Sequence, residues 1–116
     1  MKTPPRPTAE AMQFWCEIMR DDNAIHLDQA AAERAGFGAR RVNPGPANLA
    51  LVVNAWMAAH DGRTPARIEA SFLGNVFEDD ALEVRADGPD TLSLHRADAP
   101  DSPALTARFH SEITPE

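Results

Sequence analysis

A single cysteine stands among 116 residues, so no disulfide can form within the chain. That pattern fits a reducing compartment. Cys16 lies among apolar residues of a predicted helix and reads as a buried structural thiol. Positive charge is also scarce: 11 Lys and Arg face 18 Asp and Glu, for a formal net charge of -7. Tracking a phosphate backbone needs a basic face, so a general nucleic-acid binder is excluded. No N-terminal stretch has the apolar run of a secretion signal, and no stretch is long enough to span a bilayer. There are no internal repeats and no low-complexity tract. The expectation is a cytoplasmic protein without nucleic-acid or membrane partners. Its 43% apolar content suffices for the core of one domain over residues 1–116.

Three prolines within residues 1–7 predict an extended arm. Thr8 is placed to cap a helix in which Ala11, Phe14, Trp15 and Ile18 share the packed face, flanked by Met12 and Met19. Arg20 to Leu27 should be irregular. Asp28 suits the N-cap of a short helix over 29–35, with Gly36 as its stop. Asn43-Pro44-Gly45-Pro46 is a turn, and Pro46 fits the first turn of the helix that follows. From 47 to 60 that helix is apolar around most of its circumference, which predicts a buried central helix wrapped by sheet. After Asp61-Gly62 the period changes to two. Alternation around Ala66–Phe72, Leu82–Ala86, Leu92–His95 and Leu105–His110 predicts four strands of an antiparallel sheet. Helices followed by strands make an α+β fold, one sheet against one buried helix. A sheet this small is expected to continue into a dimer partner.

The stretch Asp21-Asp22-Asn23-Ala24-Ile25-His26-Leu27-Asp28 carries the clearest chemical potential. A carboxylate and an imidazole held together can position a water and move its protons. The same residues lack a second His or Cys at ligand spacing, so no metal is expected, and no cofactor either. His60, His95 and His110 read as helix-end or strand-surface residues, and Trp15 and Trp56 as core. Arg40 and Arg41 read as solvated loop arginines, with the phosphates of a ligand as the alternative partner. Asn48 and Asn54 interrupt the apolar helix; a buried amide needs partners, so either would line a pocket or bond across a dimer interface.

The run at 21–28, with Ala31-Ala32, Gly36-Phe37, Val42 and a Gly45 opening a long helix, resembles the hydratase motif of the MaoC-like family. Those proteins are (R)-specific enoyl-CoA hydratases and related acyl dehydratases with the hot-dog fold. The family pattern is Asp-x-Asn-Pro-x-His-x-Asp, then Gly-Phe, then Ile/Val-x-His-Gly. The resemblance implies that Asp21 and His26 are the catalytic pair, holding the water that adds to a trans-2-enoyl thioester. It places Asn23 and Asp28 at positions that shape the loop. Asn23, Asn43, Gly45 and Asn48 are the candidate substrate-side residues. Ala24 stands where the family has Pro, and the usual N-terminal strand is absent or reduced to the arm. Counted from Phe37 without a gap, Asn43 takes the family's His position and Pro44 its Gly position, whose N–H faces the thioester oxygen. Proline has no N–H. An oxyanion donor of that kind is worth roughly 2.7–4 kcal/mol. The Gly45 N–H, at the positive end of the central helix, takes its place if the loop shifts by one residue.

The resemblance implies a lyase of fatty acid metabolism, hydrating an enoyl-CoA to an (R)-3-hydroxyacyl-CoA or the reverse. Its partner would be an acyl-CoA or an acyl-carrier-protein thioester, with a homodimer or a hetero-oligomer of hot-dog subunits. The alternative is a catalytically degenerate hot-dog subunit paired with an active one; a thioesterase on the same fold is the third reading.

Overall fold

The computed structural model describes residues 3–112. Of the predicted arm, residues 3–7 carry no regular structure, and residues 1 and 2 lie outside the described range. Helix α1 (Ala9–Met19) starts where Thr8 Oγ1 accepts the Ala11 N–H at 3.0 Å. It ends at Arg20, whose left-handed φ of 53° lets the Asp21 N–H reach back to the Cys16 carbonyl at 2.9 Å. A 3-10 turn (Ala24–His26) follows, then α2 (Gln29–Arg34), capped by Asp28 Oδ1 on the Ala30 N–H at 3.0 Å. Helix α3 (Gly45–Ala59) begins at the glycine itself, with Pro46 in its first turn.

Strands β1 (Arg67–Phe72), β2 (Leu82–Ala86), β3 (Thr91–Arg96) and β4 (Pro103–His110) form one antiparallel sheet in the order β1-β4-β3-β2. Register sets Ile68 opposite Phe109, Ala70 opposite Ala107 and Val84 opposite Leu94. The period-two alternation therefore delivers one continuous apolar face. Val52 and Trp56 of α3 pack on it with Leu82, Val84, Leu92, Leu94, Leu105 and Phe109. Trp56 stacks on Phe109 with ring centroids 5.3 Å apart. Each such side chain contributes roughly 1.5–3 kcal/mol on burial. The α+β arrangement matches the sequence pattern, and every predicted strand lies within two residues of its observed bounds.

Three local expectations are corrected. On α1 the buried residues are Met12 and Cys16, whereas Phe14 and Ile18 are 60% and 61% exposed and Ala11 is exposed too. The helix is apolar on two sides, and periodicity does not choose between them. Helix α3 is not enclosed. Ala47, Asn48, Val52 and Trp56 are buried, while Asn54, Ala58 and Ala59 are exposed. Four strands cover one side of it, and residues 3–8 form no strand to extend the cover. On the other side a groove of about 600 Å³ runs between Thr3, Pro4 and Pro5 of the arm and Leu51, Ala55 and Ala58. Finally, His95 is buried rather than superficial, with Nε2 2.8 Å from Ser93 Oγ, because β3 is an inner strand flanked on both edges.

Candidate active site

The left-handed Arg20 turns the chain out of α1 so that Asp21 starts the polar loop. Asp21 Oδ1 accepts the Asn23 N–H at 2.9 Å, a turn that fixes the carboxylate. Asn23 Oδ1 in turn caps the 3-10 helix through the Ile25 N–H at 3.3 Å. That turn presents His26. Its Nδ1 lies 2.7 Å from the Val42 carbonyl. A carbonyl only accepts, so Nδ1 carries the proton and the neutral ring keeps its lone pair on Nε2. Nε2 lies 3.6 Å from Asp21 Oδ2, beyond direct hydrogen-bonding range. The imidazole is largely buried and the carboxylate half-exposed.

Val42 is itself held on both sides. Its N–H donates to the Ile25 carbonyl at 2.9 Å, and an isolated antiparallel bridge pairs it with Phe77. The bridge is closed by the Asn43 N–H on the Val76 carbonyl at 2.7 Å and the Glu78 N–H on the Arg41 carbonyl at 2.9 Å. Arg40 and Arg41 are not free loop cations. Arg40 Nη1 pairs with Asp80 Oδ1 at 2.7 Å, and Arg41 Nη1 with Glu78 Oε2 at 3.0 Å. Burial pushes the Glu78 carboxyl up, but the Arg41 N–H, the Gln29 amide and the Arg41 guanidinium outweigh it and leave it below the usual range. Nearby, burial and the Asp21 charge push the Cys16 thiol up.

Asn43 and Asn48 meet each other: Asn43 Nδ2 donates to Asn48 Oδ1 at 2.6 Å, and both are buried. This bond ties the turn to the first turn of α3. The Ala47 and Asn48 N–H groups both donate to the Pro44 carbonyl, at 3.0 and 3.2 Å. Among the described residues the Gly45 N–H has no such partner, and it sits at the positive end of α3. Phe72 packs against Gly45, where an added Cβ would meet the ring edge at 3.3 Å.

The structure thus brings Asp21 and His26 together and links them through Val42 to Asn43 and the α3 N-terminus. A cleft of about 750 Å³ beside α1 includes Asp21, Leu27 and Arg41 in its walls, but neither His26 nor Gly45. Asn23 acts within the loop, and Asn54, exposed on α3, lies in the wall of the groove beside the arm. Sequence reasoning missed the Val42 carbonyl, Glu78 and Asp80. Nothing local in the sequence marks a backbone acceptor or a glutamate 37 positions from its partner. Among the described residues no group of three or more His, Cys, Asp or Glu is placed to hold a metal, and no helix is long and apolar enough to cross a membrane.

No family model and no curated protein matches the sequence. Solved structures do match the fold. An (R)-hydratase from A. caviae involved in PHA biosynthesis aligns with a TM-score of 0.73 at 22% identity, over 94% of both chains. The HadBC (3R-hydroxyacyl-ACP dehydratase) complex from Mycobacterium tuberculosis aligns with a TM-score of 0.72 at 11% identity, over 94% of this chain and 90% of that one. The R-hydratase PhaJ1 from Pseudomonas aeruginosa aligns with a TM-score of 0.68 at 17% identity, over 100% and 92%. The chain is a hot-dog fold protein. Within that class, its architecture is the one these hydratases and dehydratases share.

Proposed function

We propose that the protein is a MaoC-like hydratase or dehydratase of acyl thioesters. The observation that carries this is the Asp21–His26 pair. Each side chain has one atom tied to the backbone and another turned toward its partner across 3.6 Å. That gap suits two groups bonded to one water rather than to each other. In the hydration direction the water oxygen bonds to the β-carbon of a trans-2-enoyl thioester. The π pair shifts toward the α-carbon and the thioester oxygen. His26 Nε2 takes a proton from the water and returns it to the α-carbon, which restores the neutral ring and gives an (R)-3-hydroxyacyl thioester. Asp21 Oδ2 orients and polarises the water. The Gly45 N–H, unpaired at the helix terminus, is the group suited to the thioester oxygen in place of the donor that Pro44 lacks. CoA is the favoured carrier, because acyl-carrier proteins are acidic and this chain has a net charge of -7.

Crotonyl-CoA or a longer enoyl-CoA should lose its enoyl absorbance on mixing with the protein. Asp21→Asn and His26→Ala should each abolish the loss; unchanged rates in both variants would sink the assignment.

Pro44 favours a second reading, a degenerate subunit that completes an active hot-dog partner. The HadBC match, a complex by its name, supports such pairing. Under that reading the pure chain is inactive and a co-expressed partner restores hydration. Either reading includes a second hot-dog subunit beside this one.

A further inference from the structure

We infer that Glu78 is a positioning residue for His26, acting through Arg41 and the Val42 carbonyl; the inference rests on His26 being the working base of the proposed site. Three bonds bracket that histidine. The Val42 N–H holds the Ile25 carbonyl before it at 2.9 Å, Arg41 Nε holds the Leu27 carbonyl after it at 3.1 Å, and the Val42 carbonyl holds its own Nδ1 at 2.7 Å. All three come from residues 41 and 42. Glu78 grips this dipeptide from behind. Oε1 accepts the Arg41 N–H at 2.9 Å, and Oε2 accepts Arg41 Nη1 at 3.0 Å, which aims the guanidinium so that Nε reaches Leu27. Oε1 also accepts Gln29 Nε2 at 2.8 Å, tying α2 to the same point. The Glu78 N–H completes the grip on the Arg41 carbonyl at 2.9 Å.

The carboxylate is largely buried and its partners, the Arg41 N–H, Arg41 Nη1 and Gln29 Nε2, are all donors, so its removal strands an arginine beside the loop. With Arg41 loose, the Val42 carbonyl loses its fixed place, and His26 loses what selects its tautomer. A free imidazole prefers its proton on Nε2, the wrong nitrogen for a base aimed at Asp21. Outer partners that orient a metal-bound histidine commonly matter by about 10–100-fold, and the same orienting task falls to Glu78 here.

Long-range 1H–15N NMR at pH 8 reads the tautomer directly, with His26→Ala assigning the signal. The wild-type His26 should be protonated at Nδ1 only. Glu78→Ala should shift a large share of the proton to Nε2, with Glu78→Gln intermediate because it keeps one acceptor for the Arg41 N–H. Hydration kcat should fall about tenfold or more in Glu78→Ala with KM little changed. Leu82→Ala, which opens the core elsewhere, should keep the Nδ1 tautomer despite lost stability. A folded Glu78→Ala with an unchanged tautomer overturns the inference, whatever its activity. If Glu78→Ala does not fold, Glu78→Gln decides by the same readout. The tautomer needs no substrate, so a chain without hydration activity but with the expected shift refutes the function and keeps the positioning role.

Discussion

Asp21 and His26 each use one polar atom as an anchor and turn the other toward its partner. Orientation at this scale comes from backbone groups: the Asn23 N–H and the Val42 carbonyl. Asn43 and Asn48 follow the same logic one step away. Their single buried bond joins the turn to α3, so truncating one partner leaves the other's polar group buried and unpaired. Asn48→Ala should cost about 1–3 kcal/mol in urea unfolding. The double change Asn43→Ala with Asn48→Ala should cost less than the sum of the singles, since both remove one shared interaction. Strict additivity would show that the amides act separately. The 21–28 motif made the pair legible in the sequence, because both residues lie within one turn of chain. Asn48 was legible only as a polar residue that needs a partner. That the partner is Asn43 follows from how the turn folds back on the helix.

Local chemistry also set most of the elements. Thr8 and Asp28 cap the helices they were expected to cap, and the period-two runs became strands. What stayed hidden was long-range. The segment 76–80 has no periodicity, yet it pairs with 41–43 and locks the site through Arg41–Glu78 and Arg40–Asp80. The buried side of α1 was misjudged for a related reason: two apolar sides satisfy the same spacing, and only tertiary contacts decide. The strap also has a titration signature. The Glu78 carboxyl is held below its ordinary value in the folded protein, so its stabilisation is fully present above the unfolded value of about 4.3 and lost as pH falls through the lower folded value. The stability gap between wild type and Glu78→Gln should therefore be constant well above the unfolded value and narrow progressively as pH falls below it. Chemical denaturation at stepped pH checks this, and a gap that does not narrow with falling pH would mean the carboxylate charge is not what holds the strap.

Across the whole molecule, large apolar side chains remain exposed at the sheet edge and on α1. Phe72 and Leu73 are 55% and 60% exposed at the end of β1, an edge strand of the sheet. Phe14 and Ile18 form a second exposed patch on α1, and α3 is covered on one side only. An edge strand beside exposed aromatic and aliphatic side chains is a template for pairing with another sheet. The proposed second subunit is accordingly placed at β1, extending the sheet through a two-fold axis. Light scattering after size exclusion should give about twice the 12.6 kDa chain mass. Leu73→Asp should return it to the single-chain value, because a carboxylate there would be desolvated against its own symmetry mate. Phe14→Asp should leave the mass unchanged, since α1 packs mainly on the 3-10 turn rather than on β1. The reverse pattern would move the interface to α1. A wild-type chain that stays single until a second hot-dog protein is added would instead favour the paired-subunit reading, with β1 as the edge that partner must meet.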